Sequence, residues 1–223
     1  MMPVMLRAIL VLSCITVAHA GTFWYFDDLH YDPTYGTANE SCMEDTAGTS
    51  PKLRFNPRGS YFCDSPWALV EDAIVKMKDK KSDPDFVVWA GDTGHHPLTK
   101  TTVLNDATMF QAMENVTTVL RREFPGIRVL PLLGNHDWLP KNNLPQNSAP
   151  GDFYHQYADL FRQAGWLSEN EANVFRKAGY FSTILAGTND KLKILVLNTN
   201  LYLSKNTATS GDDPAGQFAF MRE

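Results

Sequence analysis

The sequence has 223 residues, of which 43% are hydrophobic and 20% are charged. This balance supports one globular domain and argues against a disordered, collagen-like or coiled-coil chain. The net charge is −5 and the lysines and arginines form no basic stripe, which argues against a protein that binds duplex nucleic acid.

The first 20 residues have the features of a secretory signal peptide. A basic residue precedes an apolar run at 8–18 that is too short to span a bilayer, and Ala18 and Ala20 are the small residues that signal peptidase recognises. A buried N-terminal strand or an uncleaved anchor is the alternative. We therefore expect a signal peptide at 1–20, a mature domain at 21–223, and secretion to the extracellular space or the lysosomal lumen.

The cysteines and glycosylation sequons fit an oxidising compartment. With Cys14 in the leader, Cys42 and Cys63 remain as a pair around a polar loop, so we expect a disulfide between them. Two buried free thiols are the alternative. Asn39 and Asn115 stand in Asn-x-Ser/Thr sequons and are predicted glycosylation sites in a secreted chain.

Strands and helices are predicted to alternate in the first part of the mature chain. Apolar runs predict buried strands at 22–26, 86–90 and 128–133, and amphipathic patterns predict helices at 67–77 and 107–123. Strands that alternate with helices form β-α-β crossovers and a largely parallel sheet. No internal repeat interrupts this pattern.

Local signals place the remaining elements. The segment 64–66 (Asp-Ser-Pro) predicts the start of the first helix, with a capping side chain and a proline in its first turn. A further helix is predicted at 153–164, ending before a glycine. Two more strands are predicted at 180–185 and 192–197, around an Asn-Asp turn at 189–190.

Each of the three predicted parallel strands ends in a polar loop. Asp28 and His30 follow the first strand, Asp92 follows the second, and Gly-Asn-His-Asp at 134–137 follows the third. Taken singly, Asp28 is more readily a turn residue and His30 a core histidine, but Gly-Asn-His-Asp in this order is rare by chance. Parallel sheets place the loops at the carboxyl ends of their strands together, so the ordered set indicates one site.

The chemistry that needs such a set is displacement at phosphorus assisted by two divalent ions. One carboxylate must bridge the ions, and Asp92 on a sharp glycine turn is suited to this. Asp28 and His30 can face one ion together, Asn135 offers an amide oxygen to the other, and His136 can point past the metal towards a substrate. Mixed nitrogen and oxygen ligands suit zinc or manganese rather than calcium.

Four stretches carry a resemblance to a known family: FDDLHYDP at 26–33, WAGD at 89–92, LGNHD at 133–137 and NTNL at 198–201. They resemble the calcineurin-like metallophosphoesterases, and more narrowly the acid sphingomyelinase-like phosphodiesterases. The resemblance implies an α/β fold, with a β-sandwich flanked by helices in four αββα layers. It also implies zinc-dependent hydrolysis of a phosphodiester at two metal ions.

The resemblance also implies roles for individual residues. Asp28 and His30 match ligands of one zinc, Asp92 matches the bridging ligand, and Asn135 matches a ligand of the second zinc. His136 matches the residue that protonates the leaving group or steadies the phosphate. A further phosphate-side histidine is expected four residues after the bridging aspartate.

Two neighbouring histidines compete for that last position. Spacing favours His96 over His95, although the doublet departs from the family pattern.

The chain also departs from the family in its later part. The family completes its metal sites with a later histidine and a Gly-His-x-His motif, but the sequence has only His155 after His136, and we interpret His155 as a helix-face residue. We therefore expect a C-terminally truncated form of the family domain, incomplete in its second metal site.

Several functions remain open at this stage. The first is a secreted, monomeric zinc phosphodiesterase acting on sphingomyelin or nucleotide phosphodiesters. The second is a non-catalytic secreted glycoprotein or inactive remnant of the same family. A metal-independent hydrolase ranks last, because no paired-carboxylate or Gly-x-Ser-x-Gly signal is present.

Overall fold

A three-stranded parallel sheet forms the centre of the structure. The computed structural model describes residues 21–37, 56–96, 106–185 and 192–223. The sheet contains β1 (Phe23–Phe26), β2 (Phe86–Trp89) and β3 (Arg128–Pro131) in that spatial order. Both neighbouring pairs are parallel, as predicted. The second and third strands end one and two residues earlier than predicted.

Two helices connect these strands and pack against each other. α1 (Trp67–Lys80) joins β1 to β2, and α2 (Asp106–Glu123) joins β2 to β3. Apolar residues recur every three or four positions on the buried face of α2, including Met109, Met113, Val116 and Leu120. The predicted side-chain cap of α1 was wrong. Pro66 occupies the N-cap without a capping bond, because the Asp64 carboxylate accepts the His96 backbone N–H instead.

Two further helices follow β3. α3 (Phe153–Gln163) is the predicted helix, but α4 (Glu169–Ala178) was not predicted. A capping box starts α4: Ser168 N–H donates to Glu171 Oε2 at 2.7 Å, and Glu171 N–H donates to Ser168 Oγ at 3.3 Å. The Ser-x-x-Glu spacing was the signal that could have revealed this helix.

The predicted second pair of strands forms its own antiparallel sheet. β4 (Phe181–Ile184) pairs with β5 (Lys193–Val196), and the predicted turn at 189–190 lies outside the described residues. Two short 3-10 helices and α5 (Gln217–Phe220) follow. The combination of two sheets with surrounding helices confirms the predicted α/β class.

An aromatic cluster anchors the central strand. Trp89 at the end of β2 is fully buried, and its ring lies 5.9 Å from Phe161 of α3 and 6.4 Å from Trp166. Phe161 in turn lies 5.7 Å from Phe175 of α4. Burying each of these rings stabilises the fold by about 1.5–3 kcal/mol. The loop that follows β2 therefore starts from a rigid position.

Besides the turn at 189–190, three further predictions concern residues outside the described ranges. They are the signal peptide at 1–20, glycosylation at Asn39, and the Cys42 half of the predicted disulfide. Cys63 is described and lies in the turn before α1. Within the described ranges, none of the helices is both long and apolar enough to cross a membrane.

Candidate metal centre

The loops that follow β1 and β2 run side by side at the edge of the sheet. Asp28 N–H donates to Gly91 O at 3.1 Å, and His30 N–H donates to Asp92 O at 3.0 Å. These bonds continue the pairing of the two strands beyond their ends. They bring the side chains of Asp28, His30 and Asp92 into one group.

These three residues have left-handed backbone conformations. The φ angles are 51° at Asp28, 41° at His30 and 52° at Asp92. A non-glycine residue in this region costs about 1–3 kcal/mol and persists only where surrounding contacts hold it. Such strain concentrates at functional sites, and here it coincides with the three predicted ligands of one ion. The sequence carried no signal for it.

The Asp28, His30 and Asp92 side chains have the geometry of a metal-ligand set. One potential ligand atom from each lies within 4.8 Å of the other two. The His30 Nδ1 lies 3.0 Å from Gly94 O, which fixes it as the donor nitrogen and leaves Nε2, 3.3 Å from Asp28 Oδ1, as the ligand atom. Two carboxylates and one imidazole fit zinc or manganese.

Two glycines allow the loops after β2 and β3 to touch. A Cβ atom built on Gly134 would lie 1.9 Å from Asp92 Oδ1, and one on Gly91 would lie 2.1 Å from Gly134 N. Gly91 also has a φ of 93°. The His136 N–H donates to Asp92 Oδ1 at 2.8 Å across this contact. Only glycine at both positions lets the backbones approach this closely.

Asp137 stabilises the contact between the loops after β2 and β3, and sequence reasoning did not assign it to the site. Its buried carboxylate accepts four backbone N–H groups, at 2.7–3.2 Å, from Asp92, Thr93, Gly94 and Gly134. Burial raises the pKa of Asp137 to about 6, the negative charge of Asp92 adds to this, and the backbone donors oppose it. Its place at the end of Gly-Asn-His-Asp was the available signal.

Asn135 is oriented by the loop that follows it. Its Nδ2 donates to Asn142 Oδ1 at 2.9 Å, and the Asn142 N–H donates to the Asn135 backbone carbonyl at 3.0 Å. Because the amide nitrogen is engaged, the amide oxygen is the atom that Asn135 can offer to an ion.

His95 and His96 occupy different environments in the structure. The His96 ring lies 4.1 Å from that of His30 and 4.2 Å from that of His136. His95 is fully buried, and its Nδ1 lies 3.2 Å from the His96 carbonyl. The position favoured by spacing is thus the one beside the other two histidines.

Asp64 is a second residue that sequence reasoning did not assign to the site. Its carboxylate, which is largely buried, accepts the backbone N–H of His96 and lies 3.0 Å from His96 Nδ1. This pairing orients the His96 ring. The contact joins positions 32 residues apart, so no local pattern could have revealed it.

His136 is held as a neutral imidazole. Burial is the main cause that lowers its pKa to about 3, and the positive charges of His96, His30 and Lys141 add to it. Its buried Nδ1 has no hydrogen-bond partner in the described part of the chain. A neutral ring in this position can accept or donate one hydrogen bond, or ligate an ion.

The remaining predicted residues lie in other places. His155 is in the first turn of α3, 3.1 Å from the Asp152 carboxylate, which agrees with a helix-face residue. Asn115 lies within α2, where its Nδ2 donates to Tyr31 Oη at 3.3 Å. This engaged amide is poorly placed for a bulky glycan, so glycosylation of Asn115 stays a prediction that the geometry disfavours.

Acidic and imidazole side chains thus meet where parallel strands of an α/β scaffold end, and they form a candidate metal centre. The chain belongs to the calcineurin-like phosphoesterase family, whose model matches residues 22–217.

More narrowly, its relatives are acid sphingomyelinase-like phosphodiesterases. The mouse acid sphingomyelinase-like phosphodiesterase 3b is 37% identical over 92% of this chain and 44% of the relative. The human cyclic GMP-AMP phosphodiesterase is 34% identical over 90% of this chain and 43% of the relative. The sphingomyelinase phosphodiesterase C of Dictyostelium discoideum is 29% identical over 91% and 45%. The chain thus spans somewhat less than half the length of these curated relatives.

Proposed function

We propose that this protein supplies the first metal site and the substrate-side histidines of a secreted, zinc-dependent phosphodiester hydrolase. The observation that carries the proposal is the convergence of two residue groups at one edge of the parallel sheet. Asp28, His30 and Asp92 form a ligand set there, and the rings of His96 and His136 lie beside it. Membership of the phosphoesterase family supports the same reaction class.

The proposed ligands divide between two ions. Asp28 and His30 would hold one, Asn135 would hold the other, and Asp92 would bridge them. Bound divalent ions would polarise the phosphoryl group and stabilise the charge that develops on the attacking and leaving oxygens. Asp137 acts on this arrangement indirectly, because it fixes the backbone of the loops that carry Asp92 and Asn135.

The two histidines have different roles in this proposal. The Asp64 carboxylate engages Nδ1 of His96, so Nε2 is the nitrogen that we assign to contact with a substrate oxygen or a leaving group. His136, with its lowered pKa, is better suited to a hydrogen bond with the phosphate than to proton donation. Of the two roles open for His136, steadying the phosphate is therefore preferred.

The proposed substrates are phosphodiesters of lipids or nucleotides, since the relatives are named for sphingomyelin-type and cyclic GMP-AMP substrates. The wider proposal comprises a monomeric domain at 21–223, a signal peptide at 1–20, a disulfide between Cys42 and Cys63, and glycosylation at Asn39. The predicted glycan at Asn115 is not part of it, because the Asn115 amide is engaged by Tyr31. The signal peptide, the disulfide and the glycan belong together, because a signal peptide directs the chain to the secretory pathway, where the other two form.

The test is hydrolysis of bis(p-nitrophenyl) phosphate by a fusion. Residues 21–223 replace the matching N-terminal part of the mouse relative, so that the remaining ligands expected from the family are supplied by its C-terminal part. The fusion is expected to hydrolyse the diester in the presence of zinc. An otherwise identical fusion carrying Asp92→Asn is expected to lose most of this activity.

A folded, zinc-loaded fusion without turnover would contradict the proposal and favour the inert glycoprotein. Circular dichroism and elemental analysis of the same preparation separate that result from simple misfolding.

A further inference from the structure

Three imidazole rings meet beside the carboxylate ligands. The ring centroids of His30 and His96 lie 4.1 Å apart, those of His96 and His136 lie 4.2 Å apart, and those of His30 and His136 lie 5.0 Å apart. One ring nitrogen from each histidine lies within 4.8 Å of the other two. Zinc–nitrogen bonds of about 2.0–2.1 Å place ligand nitrogens about 3.4 Å apart. Small ring rotations are therefore enough to bring the three nitrogens around one ion.

The outer nitrogens of these rings are arranged as in metal-bound histidines. A histidine that ligates a metal almost always donates its other ring N–H to a carboxylate or a backbone carbonyl. His30 Nδ1 lies 3.0 Å from Gly94 O, and His96 Nδ1 lies 3.0 Å from Asp64 Oδ1. Nε2 is thus the inward ligand atom on both rings. His136 adds a buried Nδ1 that has no hydrogen-bond partner among the described residues.

We propose that His30, His96 and His136 form a three-imidazole site for Cu²⁺ or Zn²⁺, and that this site competes with the carboxylate-containing set. His30 Nε2 is common to both sets, because it also lies 3.3 Å from Asp28 Oδ1. One lone pair binds one ion at a time. An ion on the three imidazoles therefore removes a ligand from the site that contains Asp28 and Asp92.

Occupation of the three-imidazole site has an inhibitory consequence. It takes His96 and His136 away from the substrate, and that consequence rests on the proposed function. Binding itself does not rest on it, since it is measured with metal alone. A failed phosphodiesterase assay would leave the binding result untouched.

The three-imidazole set and the carboxylate-containing set can be distinguished by experiment, because they prefer different metal ions. Imidazole suits copper and zinc, whereas carboxylate oxygens suit manganese. Cu²⁺ therefore reports on the three imidazoles, and Mn²⁺ reports on the set that contains Asp28 and Asp92.

The first experiment is pulsed electron paramagnetic resonance of the full chain with one equivalent of Cu²⁺. In this experiment the non-coordinating nitrogen of each imidazole bound to Cu²⁺ modulates the electron spin echo. The spectrum is expected to show the modulation of three imidazoles. His96→Gln and His136→Gln are each expected to remove one imidazole and to lower Cu²⁺ affinity at least 10-fold. Asp64→Asn should lower it by about 10–100-fold, as expected for an outer partner of a ligand.

Matched variants supply the controls. His155→Gln alters a histidine of α3 outside the cluster and is expected to change neither the spectrum nor the affinity. Asp92→Asn is expected to weaken Mn²⁺ binding at least 10-fold while Cu²⁺ affinity stays within about threefold. Addition of Cu²⁺ to the Mn²⁺-loaded chain should lower its apparent Mn²⁺ affinity.

Two outcomes would overturn the site. One is a wild-type Cu²⁺ spectrum with fewer than three imidazoles, and this measurement needs no variant to fold. The other is simultaneous binding of Cu²⁺ and Mn²⁺ with no change in either affinity.

Discussion

Individual carboxylates in this centre combine two tasks. Asp92 belongs to the ligand set, and its Oδ1 also accepts the His136 N–H, so the same side chain ties the loop after β3 to the loop after β2. Asp137 uses both of its oxygens on backbone donors. At Asp92, an isosteric amide keeps the shape and the acceptor for the His136 N–H but removes the charge, and it therefore separates metal binding from loop structure.

Asp92→Asn is expected to weaken Mn²⁺ binding at least 10-fold with little loss of stability. The amide oxygen still accepts the His136 N–H, but the carboxylate that serves both proposed ions is gone. Isothermal titration with Mn²⁺ measures the affinity, and urea unfolding measures the stability. Asp79→Asn, at an exposed ion pair with Lys76 on α1, is the control and should leave metal affinity unchanged. Wild-type Mn²⁺ affinity in the Asp92 variant would remove Asp92 from the ligand set.

His136 is expected to make the metal-free protein sensitive to acid. Its pKa falls from 6.5 in the unfolded chain to about 3 in the folded protein. Between these values the unfolded state binds more protons, so the free energy of unfolding decreases as the pH is lowered through this window. NMR of the imidazole in EDTA measures the pKa directly, and His136→Gln should flatten the fall in stability. Titration of His136 near pH 6.5 in the folded protein would contradict this assignment.

Asp137 is expected to act in the opposite direction. Its pKa rises from 3.8 to about 6, so the folded state binds more protons between these values and stability decreases as the pH rises through them. The two groups therefore partly offset each other in the metal-free protein. The His136 effect is best isolated by comparing urea unfolding of wild type and variant at each pH.

At the scale of elements, α4 depends on its N-terminal cap. Ser168→Ala is expected to destabilise the protein by about 1 kcal/mol, because it removes one of the two reciprocal capping bonds with Glu171. Urea unfolding measures this change. Ser82→Ala, at an exposed position after α1, is the control and should lie within about 0.5 kcal/mol of wild type. An equal effect of both substitutions would mean that the cap contributes nothing.

The junction of the loops after β2 and β3 is a second element-scale feature. Gly134→Ala is expected to reduce metal affinity as well as stability, because the new Cβ would lie 1.9 Å from Asp92 Oδ1 and must displace a candidate ligand. Gly126→Ala is the matched control. It introduces strain at a φ of 77° with no atom within 4 Å, so it should lower stability and leave metal affinity unchanged. Wild-type metal affinity in the Gly134 variant would show that the added Cβ does not displace the Asp92 carboxylate from its position as a ligand.

At the scale of the whole molecule, the number of ligands limits the number of ions. Among the described residues, Asp28, His30 and Asp92 supply three ligands for one ion, and Asp92 and Asn135 are the candidates for a second. The proposed three-imidazole site uses His30 as well, so it competes with the first ion rather than adding another. A catalytic zinc normally has three protein ligands and a water. The 223-residue chain expressed by itself is therefore expected to retain at most one weakly bound zinc and to show no measurable phosphodiester turnover.

Elemental analysis after dialysis against micromolar zinc, together with a chromogenic diester assay, tests this expectation. Two tightly bound zinc ions, or robust hydrolysis by a monodisperse preparation, would show that the ligand count is wrong.

The sequence by itself determined the alternation of strands and helices and the polar residues at three strand ends. These features depend on local periodicity and on residue order, which are visible in one chain. The same order brought Asp28, His30, Asp92 and Asn135 to one edge, because the ends of parallel strands meet there. It also favoured His96 by spacing alone. The sequence analysis did not predict α4, because the only local indication of this helix was the pair of capping residues at its start.

Only the tertiary structure decided how the centre is held. The pairing of Asp64 with His96, and the bonds of Asp137 to the backbone N–H groups of Asp92, Thr93 and Gly94, join segments 32 to 45 residues apart. The left-handed backbone of Asp28, His30 and Asp92 is likewise imposed by bonds between neighbouring loops. Such contacts arise from packing of distant segments, and no pattern within one segment encodes them. For the same physical reason, the shared position of His30 between two ligand sets became visible only in three dimensions.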